Sequence, residues 1–264
     1  MNKNEIISGV ALALALDSTK AQQLPCVAKI KELTELTRAV VFPQYFCQHT
    51  SPFVVATKVE QIYNILSEQA SEGIASKFVS SLCELRRLIM TDVEAVYNGD
   101  PAAKSHTEVI FCYPAITAML FHRMAHLLCD GYILIARMIS EMAHSLTGID
   151  IHPCAQIGES FSIDHGTGVV IGETTIIGRG VHLYQGVTLG AHSFRTDSQG
   201  NPINTPRHPI IGDDVTIYSN TSVLGRIEIG QGSVIGGNVW LTKSVPPHSK
   251  ITQSTVHHIT SEVF

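Results

Sequence analysis

From residue 151 onward the chain places an aliphatic residue at every sixth position. Stepping by six gives Ile151, Ile157, Ile163, Val169, Thr175, Val181 and Val187, and after one interruption Ile211, Ile217, Val223, Ile229, Ile235 and Leu241. Of these thirteen positions only Thr175 is not aliphatic. Glycine follows directly at Gly158, Gly212, Gly230 and Gly236, and the fifth place of many hexads is small or apolar (Ala155, Thr167, Ala191, Val215, Thr221, Val239, Val245). A period of six fits neither an amphipathic helix nor an alternating strand. It fits a solenoid whose short flat sides each take one hexad and send one aliphatic residue inward, to stack on its equivalent a turn away. A single hexad cannot bury its apolar side alone, so stacking supplies the core. With three hexads to a triangular turn, the stretch predicts about four turns of parallel β-helix. A β-sandwich of short strands would not hold so strict a register.

Before residue 148 the pattern is helical. Val55, Val59, Ile62 and Leu66 share one face. A second helix is predicted from Lys77 to about Val96, carrying Leu82, Leu85, Leu88 and Ile89, and the run Asn98-Gly99-Asp100-Pro101 breaks it. Further helices are expected from Pro114 to Cys129 and from Ile133 to Leu146, with Gly148 as the C-terminal cap. The apolar stretch Ile6–Leu16 behind Lys3 has a faint signal-peptide look. Its weak positive charge favours a first helix, Asn4 to Asp17, packed on the helices that follow. The expected organisation is α+β: a helical domain over 1–147, a parallel β-helix over 148–248 with an extended loop at 191–209, and an irregular tail over 249–264.

Composition narrows the classes. The chain has 264 residues, 44% of them hydrophobic, and a net charge of -5. Nothing here forms the basic footprint of a nucleic-acid partner. No apolar run reaches the length of a membrane span. The six cysteines (Cys26, Cys47, Cys83, Cys112, Cys129, Cys154) form no CxxC pair and no disulfide-like spacing. Reduced thiols in the cytoplasm are the expectation.

Candidate chemistry gathers at three places. His165 lies in Ile163-Asp164-His165-Gly166-Thr167-Gly168, at an expected corner of the solenoid. Histidine is the natural general base near neutral pH. Asp150 comes fifteen residues earlier, close to the about eighteen residues of one turn. That spacing predicts a carboxylate one layer away, able to orient the imidazole and stabilise its charged form. This is the base-and-orienter logic of a hydrolytic triad with the serine left to the substrate. The long polar interruption ends in Arg207-His208-Pro209, and polar loops on a rigid scaffold often carry function.

These residues resemble serine O-acetyltransferase, a family of the hexapeptide-repeat acyltransferase superfamily. The matching runs are Gly99-Asp100-Pro101-Ala102, Tyr113-Pro114, His122-Arg123 with Ala125-His126, TGIDIHP at 147–153, IDHGTGVVIGE at 163–173, QGVTLG at 185–190, RHP at 207–209 and VPPH at 245–248. They cover about residues 90 to 248. The resemblance implies a left-handed β-helix and transfer of acetyl from acetyl-CoA to the hydroxyl of L-serine, in cysteine biosynthesis. It implies His165 as catalytic base and Asp150 as its orienting partner. Asp100 and Asp164 match acids that bind the amino acid, Arg207 and His208 match loop residues that hold its carboxylate, and Glu173 matches a further acid beside the site. Gly190, Ala191, Ser219 and Gly237 fall where the family lays acetyl-CoA along the solenoid. No metal is implied.

A homotrimer, or a dimer of trimers joined by N-terminal helices, is the implied assembly, with the active site between neighbouring solenoids. Ala115 and Ala191 stand where the family often has glycine, both conservative departures. The ending Ser261-Glu262-Val263-Phe264 departs from the isoleucine-ended tail that docks into O-acetylserine sulfhydrylase, so no tight complex with that enzyme is expected. Two rivals share the solenoid: an acetyltransferase acting on a sugar or amine, and a metal hydratase of the γ-carbonic-anhydrase kind. The second needs three histidine ligands, for which His165, His192 and His208 are the available set.

Overall fold

The computed structural model describes residues 3–16, 24–193, 196–201 and 203–253. Among these, nine helices precede fourteen short strands. The helices are α1 (Lys3–Leu16), α2 (Val27–Val41), α3 (Pro43–Phe46), α4 (Pro52–Gln69), α5 (Glu72–Ser80), α6 (Leu82–Gly99), α7 (His106–Cys112), α8 (Pro114–His126) and α9 (Ile133–Thr147). Helix α4 buries Ile62 and Leu66, as its spacing requires, and Ser51 caps it through Val54 N–H. Gly148 ends α9 in the left-handed conformation at φ 70°.

Three expectations are corrected here. The single helix predicted from Lys77 is two, because Ser80 and Ser81 both turn their hydroxyls back onto the Lys77 carbonyl, at 2.9 and 2.8 Å, and the chain bends there. Helix α1 exists, but Ile6, Ile7, Val10, Leu12 and Leu14 are all exposed, so it does not pack on the helices that follow. Cys129 and Cys154 are joined as a disulfide with Cα atoms 5.5 Å apart, where reduced thiols were expected. They lie 25 residues apart in sequence. Only the fold of the α8–α9 turn onto the first coil brings them together, which spacing cannot reveal.

The strands form three parallel sheets of five, four and five strands, the three faces of a left-handed β-helix of about five turns. The sequence estimate of about four falls short because Lys250–Ile251 contributes a fourteenth strand beyond the thirteen hexads. Lys250–Ile251 lies inside the segment expected to be irregular; residues 254–264 of that tail lie outside the described residues. On the first face Ile151, Ile171, Leu189, Val223 and Leu241 stack. Ile157, Ile177, Ile211 and Ile229 stack on the second. Ile163, Leu183, Ile217, Ile235 and Ile251 stack on the third.

The columns correct the hexad frame. Ile163 pairs with Leu183, twenty residues on, whereas Ile171 pairs with Leu189, eighteen on. The first turn therefore carries two extra residues, and they fall at the corner that bears His165. Past that corner the sixfold count lands on Val169, Thr175, Val181 and Val187, each two places before the inward residue of its strand. Those corner positions are buried as well, so the count stays apolar while out of frame. Thr175 is then no break in the core stack. It lies at the corner before the second face, in the column of Ala155 and Pro209.

The helices seat on the first coil through a buried charge. Arg123 of α8 donates from Nε and Nη2 to Asp92 of α6 at 2.6 and 2.8 Å, and from Nη2 to the Gly158 carbonyl at 2.8 Å. Asp92 also accepts from Phe161 N–H at 3.1 Å, and Thr91 Oγ1 accepts from Ser160 N–H at 2.9 Å. A planar guanidinium suits such a fork. Burial pushes the Asp92 carboxyl up to about 6, with Arg123 pulling the other way. Gly158 must be glycine here: a Cβ would stand 2.6 Å from the Gly178 carbonyl oxygen of the coil above.

Candidate active site

The candidate residues sort onto two edges of the solenoid. His165 sits at the corner between the third and first faces. Its backbone is left-handed, at φ 57°, followed by Gly166 at φ 90°. Such a conformation is uncommon for a non-glycine residue and is often found at functional sites. The corner throws the ring outward, 72% exposed, with Nδ1 3.7 Å from Asp164 Oδ1.

The end of α6 brings Asp100 to the same edge. Its Oδ1 accepts from Ala102 N–H at 2.8 Å and its Oδ2 from the Tyr113 hydroxyl at 2.5 Å. Those two bonds, Tyr113 first, hold the Asp100 carboxyl below its ordinary value, with smaller help from His165 and Lys104. The same bond drives the Tyr113 phenol up to about 12. Asp100, Tyr113, Asp164 and His182 line one small recess. Behind it Ser162 Oγ shares a 2.7 Å hydrogen bond with His182 Nδ1, and burial lowers the His182 ring.

Asp150 lies on the first face beside Val170, five residues past His165, and no ion pair joins it to the ring. The carboxylate nearest His165 is Asp164.

Glu173, Arg207 and His208 gather at the corner between the first and second faces. Arg207 Nη2 donates to Glu173 Oε2 at 2.5 Å. Thr174 Oγ1 accepts from Arg207 N–H at 2.9 Å and His208 N–H at 3.1 Å, pinning the end of the long loop to the coil. Arg226 reinforces the clamp, donating to the carbonyls of Thr174 and His208 at 2.7 and 3.0 Å. Neither Thr174 nor Arg226 is marked by any sequence pattern; only the fold joins them to the loop.

The His208 ring lies against Gly172, whose hydrogen leaves no room for a Cβ. Its Nδ1 accepts from Thr174 N–H at 3.1 Å, which leaves the proton on Nε2. Burial, then the Arg207 charge, lowers its pKa to about 4. At neutral pH His208 is thus an uncharged donor, not a second cation. His152, one coil below, feels the charges of Glu173, Asp150 and Arg207 and is lowered mainly by burial. It was not singled out in the sequence.

The remaining candidates divide the same way. Gly190 ends a strand on the Arg207 edge, accepting from Gly225 N–H at 2.9 Å, and Ala191 follows it. Ser219 and Gly237 occupy successive coils on the His165 edge, joined by Asn238 N–H to the Ser219 carbonyl at 2.9 Å. His192, Arg207, Arg226 and Lys243 line an open cavity of about 710 Å³, with no carboxylate among the described residues that line it. Among the described residues no three His, Cys, Asp or Glu side chains stand where a metal ion could be held.

Residues 208–243 match the family model described as bacterial transferase hexapeptide (six repeats). A plasmid-borne serine acetyltransferase of Synechococcus elongatus is 57% identical over 194 residues, which are 73% of this chain and 60% of that protein. The serine acetyltransferase of Bacillus subtilis is 43% identical over 166 residues, 62% of this chain and 73% of the relative. Among solved structures, serine acetyltransferase isoform 3 of Entamoeba histolytica in complex with cysteine is 34% identical, with a TM-score of 0.74 over 88% of both chains. A serine acetyltransferase complex with CoA is 25% identical, with a TM-score of 0.60 over 83% of this chain and 79% of that one. With relatives at this identity and coverage, the chain belongs to the serine acetyltransferase family.

Proposed function

We propose that the protein transfers acetyl from acetyl-CoA to the hydroxyl of L-serine, giving O-acetyl-L-serine and CoA on the route to cysteine. The observation that carries this reading is an outward imidazole flanked by Asp164 and by the Tyr113-held Asp100. A zwitterionic alcohol is the substrate such an edge suits. Its ammonium meets Asp100 and Asp164, and its hydroxyl reaches the base His165. A sugar would have no use for paired carboxylates.

In this reading His165 takes the serine hydroxyl proton as the oxygen attacks the thioester carbonyl. The carbonyl π electrons move to oxygen, and backbone N–H groups receive the oxyanion. The intermediate collapses, the C–S bond breaks, and the imidazolium returns its proton to the departing thiolate. No acyl-enzyme forms. Asp150 supports the ring when substrate closes the site, since catalytic hydrogen bonds are commonly longer without ligand. Arg207, backed by Glu173, and the neutral Nε2–H of His208 receive the serine carboxylate. Acetyl-CoA runs along Gly190, Ala191, Ser219 and Gly237, and the basic cavity beside Arg226 and Lys243 suits its phosphates.

The base and the carboxylate clamp stand on different edges of one chain. A site shared between neighbouring solenoids, as in a homotrimer or a dimer of trimers, unites them. The divisions at 1–147 and 148–248 and a cytoplasmic location, where the thioester substrate is a metabolite, belong to the same reading.

Its test is CoA release from acetyl-CoA with L-serine against a panel of sugars and amines. Serine is expected to give the highest kcat/KM by a wide margin. A sugar or amine outrunning serine would replace the reading.

A further inference from the structure

Of two motifs that carry the family resemblance, Asp100-Pro101-Ala102 supplies a carboxylate to the proposed site, whereas Tyr113-Pro114 has no role of its own in the chemistry described so far. In the fold they meet. Asp100 caps α6, its N–H donating to the Val96 carbonyl at 3.2 Å. Its carboxylate then turns back onto Ala102 N–H. Tyr113 sits at the joint of α7 and α8. Its N–H donates to the Val109 carbonyl at 3.2 Å, its backbone is extended at φ -85°, ψ 119°, and Pro114 opens the next helix. A residue before proline is confined to that region, which sets the direction in which the Tyr113 side chain leaves the backbone. It points its hydroxyl at Asp100 Oδ2, at 2.5 Å.

A short O–H···O⁻ bond of this kind is among the stronger and more directional contacts a carboxylate makes. Each Asp100 oxygen therefore has one lone pair occupied and one left for a ligand. The recess they face also holds Asp164. The helix joint itself does not require a tyrosine, since Pro114 alone would start α8.

We propose that Tyr113 is a positioning residue: through its hydroxyl it holds Asp100 in the orientation that receives the ammonium group of the amino-acid substrate. The inference rests on the serine-acetylating reading and deepens it. Tyr113 touches no reacting atom. It sets the affinity for serine and leaves acetyl-CoA alone.

Tyr113→Phe removes one oxygen and keeps the ring that packs the joint. Serine KM is expected to rise about 10- to 100-fold, the range for losing a hydrogen bond to a charged group. The acetyl-CoA KM and the melting temperature stay at wild-type values. In an Asp100→Asn background the same change adds nothing, because the group it positions is gone. If that background turns over too slowly for a KM, equilibrium dialysis with labelled serine reads the same cycle. An unchanged serine KM, an equal rise for both substrates, a lowered melting temperature, or full additivity with Asp100→Asn would overturn the proposal. Wild-type protein that releases no CoA with serine would instead overturn the functional reading, and the inference with it.

Discussion

His165 shows how much a single corner decides. Its left-handed backbone and the two extra residues around it lift the ring out of the solenoid wall, where a regular six-residue corner would keep the chain flush. His165→Ala is expected to lower turnover about 10²–10⁴-fold, the usual contribution of a general base. Circular dichroism and sedimentation should match wild type, since the ring is mostly exposed. Turnover close to wild type would remove His165 from the role. The histidine itself was legible because an IDHGTG run sits where a corner is expected. The inserted pair was not legible, because both the inward column and the corner column are apolar and a shift of two passes from one to the other unnoticed. Tyr113 was visible as a motif and silent as chemistry, because its partner lies thirteen residues away across two helix ends.

Among the elements, the seam between helices and solenoid rests on the Asp92–Arg123 pair, fully buried on one side and 6% exposed on the other. Removing one partner strands a charge. Arg123→Met is expected to cost about 3–5 kcal/mol of unfolding free energy, read as a lowered midpoint in urea. Asp92→Asn with Arg123→Met should recover much of the loss, since no charge is then left buried. Equal loss in the single and double variants would show that the ion pair is not what joins the two parts. Helix α6 could be read from its apolar spacing, but its start could not. The serine hydroxyls that separate it from α5 act through a backbone carbonyl, and sequence patterns record side-chain polarity alone. The solenoid was the most legible element, since a period of six has few structural solutions. Helix α1 was legible as a helix, yet nothing in its apolar run says whether a surface waits to cover it.

At the scale of the molecule, four histidines among the described residues are held below their ordinary values: His122 well below, His208 at about 4, and His152 and His182 to smaller extents, with burial the largest cause in each. An unfolded chain binds protons on these rings near pH 6.5, which the folded chain refuses. Their contribution is fully present above that pH and is lost as pH falls towards 4. Asp92, raised to about 6, works in the opposite direction over the lower part of this window, as one carboxyl against four rings. The melting temperature is therefore expected to fall steadily from pH 7 to pH 4.5. A flat profile would contradict the burial of these rings.

The central claim is that serine is acetylated at a site built from the His165 edge of one chain and the Arg207 edge of another. The most direct measurement co-expresses His165→Ala and Arg207→Ala chains under different tags, isolates the mixed oligomer, and follows serine-dependent CoA release at low serine. Each variant alone lacks one edge at every site. In a closed trimer that contains both variants one of the three shared sites regains both edges, and in a randomly mixed dimer of trimers about one site in four does. The account predicts activity in the mixed oligomer of about a quarter to a third of wild type, well above either variant alone. Activity no higher than the mean of the two variants would place the whole site on one chain and contradict it.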